Sequence, residues 1–218
     1  MIYRILFIAM IASYSIIASA GSCPSGLDNG IELINKADGY NLEFRPVDES
    51  LVSRSRIVEP IGIVEQRQMA YGLLTLQVES DMGKEVVIHE ADLAKLKQLD
   101  ENRFWFSKAA FSMHDLGGSL IRSDPGYNRL EYLNFTTHQI GECQYDVWHL
   151  LLRRAILTNL DGSEVDIESG EDLVFHARLV EFEIYWSPML GITLAHTLPG
   201  NAFEAGAWVI FDQIKPLY

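Results

Sequence analysis

Six histidines (His89, His114, His138, His149, His176 and His196) and 30 carboxylates are the side chains of this sequence with the chemistry for proton transfer or metal binding. No two of the histidines lie within four residues of each other. A site built on them has to be assembled from separate elements, which spacing alone does not reveal. His89-Glu90 begins as the His-Glu-x-x-His zinc motif does, but position 93 is Leu where the second imidazole should stand, so zinc is rejected there. His114-Asp115, ahead of Leu116-Gly117-Gly118, is the best base–orienter pair by loop position. Adjacent side chains in extended backbone point apart, which weakens it.

The carboxylates give two further patterns. Asp161, Glu164, Asp166, Glu168, Glu171 and Asp172 supply the oxygens that calcium favours. Their alternation with Val165 and Ile167 explains them as the solvent face of a strand, and the glycine sits at the wrong offset for an EF-hand loop. Glu181 and Glu183 share one strand face at roughly 7 Å, the scale of paired glycosidase acids. Opposite them stand Val180, Phe182, Ile184 and Trp186, so a polar strand face is the better account. The sequence has no Gly-x-Ser-x-Gly elbow, no phosphate loop and no Gly-x-Gly-x-x-Gly after a strand. No catalytic residue, ligand-binding residue, metal set or cofactor is therefore assigned, and the reading leans away from an enzyme.

What must position any site is a sheet. Period-two alternation bounded by turn residues dominates the chain. It predicts a hairpin over 31–45 around Asp38-Gly39, a strand over 51–58 and a second hairpin joining 74–78 to 86–88. Further strands follow over 103–113, 130–138 and 143–159. The Asp161-Gly162 turn returns the chain through 163–168, and strands over 173–186, 191–198 and 207–214 complete the set. Asp124-Pro125-Gly126 reads as loop punctuation beside Leu120-Ile121. Residues 90–101, with Leu93, Leu96 and Leu99 among good helix formers, predict a short amphipathic helix. The fold class is mainly β: an antiparallel curved sheet, a half-barrel or sandwich, with one short helix.

Gly141-Glu142-Cys143-Gln144-Tyr145, opening a long strand, and Tyr185-Trp186-Ser187-Pro188-Met189-Leu190-Gly191 further on resemble the closing hairpins of a loose group of exported bacterial β-sheet proteins. Most of that group lacks an assigned activity. The resemblance covers the last third of the chain. It implies an envelope or secreted location and an antiparallel sheet wrapped on a helix or a lipid-sized groove, and it implies no catalytic residues.

The N-terminus points the same way. Arg4, an apolar stretch over residues 5–17 and the small-residue pattern Ala18-Ser19-Ala20 read as a cleavable signal peptide, 1–20, cut near Ala20. Residues 21–218 read as a single mostly β domain, periplasmic or secreted. A membrane anchor wants about 20 consecutive apolar residues, and here Gly21-Ser22 and Pro24 follow directly. Cys23 and Cys143 are the two cysteines, an even number in an oxidising context, and predict one disulfide. The alternative is a lipidated or free Cys23 with a buried thiol at Cys143.

A net charge of −13 repels phosphate backbones and anionic lipid, so nucleic acid is a poor partner and solubility explains the acid. Trp105, Trp148, Trp186 and Trp208 are spread over separate strands, as core packing requires. Three functions remain. The leading one is a non-catalytic binding module for an apolar small molecule or an envelope protein. The second is an assembly protein that pairs through a sheet edge. The third is a hydrolase, for which His114, His138 or His149 would have to meet an Asp or Glu in the fold.

Overall fold

The computed structural model describes residues 23–159, 175–198 and 207–217. The leader read from residues 1–20, the Asp161-Gly162 turn, the 163–168 return and the acidic group over 161–172 lie outside them. The described chain forms one antiparallel sheet of 13 strands. In order these are β1 Ile31–Asn35, β2 Tyr40–Pro46, β3 Leu51–Val58, β4 Gly62–Ala70, β5 Leu74–Ser80, β6 Gly83–His89 and β7 Phe104–His114. They continue with β8 Leu120–Ile140, β9 Cys143–Asn159, β10 Phe175–Ser187, β11 Ile192–Thr197, β12 Trp208–Val209 and β13 Gln213–Pro216. Each strand pairs with its successor as far as β12, and β13 returns to lie against β1. The sheet is not closed into a barrel: β12 and β13 are its two ends, joined by residues 210–212. Asp212 anchors that crossing, donating its backbone N–H to Ile34 O at 2.8 Å and accepting from Lys36 N at 2.7 Å.

Several elements differ from the sequence expectation, the single strand over 207–214 among them: it is split into β12 and β13, which pair with β11 and with β1 at opposite ends of the sheet. β4 fills residues left without an element, because its alternation is carried by Arg67 and Glu65 rather than by apolar side chains. β8 runs straight through Asp124-Pro125-Gly126. Pro125 is tolerated because the β8–β9 ladder begins only at Gly126 opposite Ile156, so at Pro125 the strand has a ladder partner on the β7 side alone. The expected helix is a 3-10 turn over Leu93–Gln98 running into α1, Leu99–Asn102, with the Asp92 carboxylate accepting from Ala94 N at 2.9 Å. Leu93, Leu96 and Leu99 recur at the three-residue period of a 3-10 helix, which stacks them on one side. Leu96 and Leu99 are buried.

The sheet curls until distant strands meet. Trp186 Nε1 in β10 donates to Tyr71 O at 2.9 Å, and Thr193 Oγ1 in β11 donates to Gly72 O at 3.1 Å. At this end two apolar clusters fill the concave side. Leu74, Leu96, Leu99, Trp105, Leu130, Trp148, Leu150 and Trp186 form one, beneath the helix. Ile31, Leu33, Leu42, Phe44, Val52, Met69, Ile192 and Leu194 form the other. The β8–β9 hairpin joins both. Its register shifts between Tyr132 and Asn134, and the neighbours Val147 and Trp148 are both buried, one in each cluster. Beyond the shift, Ile140, Cys143 and Tyr145 pack into the second cluster. The Cys23 and Cys143 sulfurs stand at disulfide distance, with their Cα atoms 5.6 Å apart.

Candidate functional site

Strand alternation fixes which side chains look inward. In β9, Leu150 and Leu152 enter the core, so Arg154 and Ile156 follow on the same side. In β3, Val52 enters the core, so Arg54 follows it; in β4, Arg67 precedes the buried Met69. The ladders set Arg54 opposite Arg67 and Asn128 opposite Arg154. All four lie beyond the cluster beneath the helix, toward the end of the sheet that carries the 59–61, 81–82 and 115–119 turns, with Arg54 directly opposite Phe44 of the second cluster. The concave side is therefore wholly apolar beneath the helix and mixed, with buried charge, at the other end.

Glu65 holds two of these arginines. It accepts from Arg67 Nε and Nη2 at 2.6 and 2.8 Å and from Arg54 Nη2. Arg154 Nε donates to Asn128 Oδ1 at 3.1 Å, its Nη1 stands 3.8 Å from Glu85 Oε1, and its guanidinium lies 5.2 Å above the Phe111 ring. Asn128 is 0% exposed and the Arg54 side chain 12%. Several polar atoms here are buried without a partner among the described residues: Arg54 Nε, Asn128 Nδ2, Arg122 Nη2 and both ring nitrogens of His89. His89 faces the Trp105 ring at 5.4 Å.

The electrostatics follow from burial beside fixed positive charge. Desolvation, then the charge of Arg67, brings Arg54 down to about 10. Burial alone would raise Glu65, but hydrogen bonds and charge from Arg67 and Arg54 hold it at about 2. Burial, then Arg54 and Arg67, pushes His196 down to about 4; burial, then Arg154, does the same to His89. Both imidazoles are neutral at pH 7. His196 in β11 feels arginines of β3 and β4, so these groups face one another across the curled sheet rather than along it. Such a set suits recognition of a polar ligand more than proton transfer.

The histidines picked out in the sequence fall in different places. His149 Nε2 meets Glu183 Oε2 at 2.7 Å on the side of β9 opposite to Leu150 and Arg154, with the Tyr185 ring at 4.9 Å and Trp208 at 6.2 Å. His138 packs against Tyr185 at 5.3 Å, and no acid joins it among the described residues. His114 Nδ1 lies 3.3 Å from Gly118 O, while Asp115 accepts from Ser119 N and turns its own loop. His176 pairs with Thr158 in the β9–β10 ladder. Glu181 does not pair with Glu183 as an acid couple: it accepts from Arg153 Nε at 2.6 Å. Among the described residues no group of three or more His, Cys, Asp or Glu is placed to hold a metal ion, and no helix is long and apolar enough to cross a membrane.

The arginines belong to no catalytic or metal-binding motif, so motif spacing does not single them out. Their signal is present in the sequence: Leu150-x-Leu152-x-Arg154-x-Ile156 puts a cation at an inward position of an otherwise apolar stripe.

No family model matches the chain, and no curated protein matches it. A search of solved structures finds the hypothetical lipoprotein YmcC from Escherichia coli (K12), with 8% sequence identity and a TM-score of 0.43, over 87% of this chain and 86% of that one.

Proposed function

We propose that this protein is an exported, non-catalytic binding module whose ligand lies on the concave side of the sheet, in the half away from the helix. One observation carries the reading: the buried polar atoms of that half, Asn128 Nδ2 and Arg54 Nε among them, lack partners among the described residues. Buried polar groups in folded proteins are almost always satisfied, so an incomplete set marks a place where something else completes it. Phe111, Val87 and Ile156 give the same region an apolar wall. Export follows from the leader of residues 1–20 and from a Cys23–Cys143 disulfide, which the two cysteines are placed to form. Residues 21–218 act as one domain in this reading.

The test is native mass spectrometry on protein purified from the compartment to which it is exported. The expected spectrum shows a chain beginning at Gly21, a deficit of about two mass units for the disulfide, and an adduct that is lost on denaturation. A clean apo chain would sink the binding reading, and retention of residues 1–20 would sink export.

A second reading, a hydrolase, is favoured by the His149–Glu183 contact. No hydroxyl or thiol is hydrogen-bonded to His149 among the described residues, so that reading rests on water as nucleophile. It predicts that His149→Gln abolishes hydrolysis of a general ester substrate; absence of turnover in the parent protein removes it. The sheet-edge reading asks for a long end strand, whereas β12 and β13 have two and four residues.

A further inference from the structure

The charge-bearing half of the concave side is unbalanced in one direction. Four guanidinium groups, Arg54, Arg67, Arg122 and Arg154, face three carboxylates: Arg122 pairs with Asp124, and Glu65 is shared by two arginines. Glu85 stands at 3.8 Å from Arg154, beyond hydrogen-bond reach. The chain as a whole carries −13, so this pocket of surplus positive charge runs against the sign of the molecule. The unpartnered atoms are unbalanced in the same sense. Arg54 Nε, Asn128 Nδ2 and Arg122 Nη2 are donors, while the neutral His89 ring adds one donor and one acceptor. Arg122 belongs to the same face, since its neighbour in the ladder, Met113, lies two residues beyond the inward Phe111. What the site lacks is acceptors carrying negative charge.

Resting on the binding reading above, we infer that the group recognised on the concave side is an anion of the phosphate, sulfate or carboxylate class, held by the N–H groups that Arg54 and Arg154 leave free, with the Asn128 amide and the nearby charge of Arg67. Guanidinium forks match such oxygens two at a time, and a low-dielectric wall strengthens each contact. Phe111 already supports the Arg154 guanidinium from one face, and with Nε on Asn128 and Nη1 beside Glu85 its Nη2 is left to bind. Guanidinium groups buried among too few acceptors are costly to a fold, and their retention is explained by what they hold.

The experiment is calorimetric titration of the full mature chain with inorganic phosphate, sulfate, acetate, octyl phosphate and octanol, at matched ionic strength against chloride. Octyl phosphate is expected to bind at least about tenfold more tightly than octanol, and Arg54→Met or Arg154→Met to weaken it at least about tenfold. Arg54→Lys, which keeps the charge and loses the fork, should fall between. Octyl phosphate binding no better than inorganic phosphate assigns the site to a free anion; tighter binding assigns it to an amphiphile, and either supports the inference. Without anion, Arg54→Met should melt no lower than the parent, because Glu65 keeps both bonds from Arg67; Arg154→Met also strips Asn128 Oδ1 of its donor and is read by affinity alone. Octanol and octyl phosphate binding alike, with the arginine variants unchanged, would overturn the anion and leave the binding module standing. Melting of Arg54→Met well below the parent, with no anion bound by the parent, would mean that the arginines are structural; the native mass spectrum then decides the binding reading separately.

Discussion

At the scale of single residues, His89 and His196 set how the protein meets acid. Each is neutral in the fold, held at about 4 by burial and then by arginine charge, while the unfolded chain takes up the same protons near 6.5. The unfolded state binds more protons between those values, so stability is complete above pH 6.5 and falls as the pH drops toward 4. Glu65 extends the loss: its folded value of about 2 lies below the ordinary 4.5, so its contribution is present above pH 4.5 and is lost as the pH falls toward 2. Urea midpoints measured from pH 8 to pH 3 should therefore decline in two stages. His89→Phe, which fills the same space beside Trp105 without titrating, should flatten the first stage and leave pH 8 stability within about 1 kcal/mol. An unchanged slope would show that His89 does not titrate in this way. Tyr145 offers a contrast. Its hydroxyl is buried without a partner, and burial raises it to about 12. Tyr145→Phe should be neutral or stabilising by up to about 1 kcal/mol in the same denaturation assay, since nothing hydrogen-bonded is lost.

At the scale of elements, the closest approach in the sheet is between the β4–β5 and β10–β11 turns. Gly72 has φ of 59°, and a Cβ there would run into the Gly191 carbonyl and lie 2.9 Å from the Ile192 Cα. Gly72→Ala should cost roughly 2–4 kcal/mol by adding strain and overlap together, read from the thermal midpoint. Glycine at an open position, such as Gly118, has nothing within 4 Å of the added carbon and should lose only the backbone term. Legibility divided along similar lines. Strands with apolar inward residues, such as β1 and β2, were plain in the alternation, and so was the leucine triplet of the helical segment. β4 was not, because its inward residues are the charged groups of the candidate site; the feature that carries function is the one that broke the pattern. Pro125 misled for a different reason, since only the full ladder shows which side of β8 is left unpaired there.

At the scale of the whole molecule, the curl decides what sequence could not. Nothing local says that β11 faces β3, yet that juxtaposition brings His196 toward Arg54 and divides the concave side into a wholly apolar end and one that holds buried charge. Cys23 and Cys143 act at this scale as well. Their bond would close a loop of 120 residues, worth roughly 5 kcal/mol by loop-closure entropy. Reduction should lower the urea midpoint accordingly, and Cys23→Ala should reproduce the reduced protein; equal midpoints would show that no bond forms. The strand order has a further consequence, which concerns timing. Among the described residues every ladder but one joins neighbours in the chain, so hairpin after hairpin can form as the polypeptide lengthens. The exception is β1 against β13, the first strand against the last. Until residues 213–216 arrive, the outer edge of β1 stands open, an invitation to other nascent chains. Deleting residues 210–218 should make that interval permanent, and light scattering during refolding would record it as aggregation that the full chain escapes.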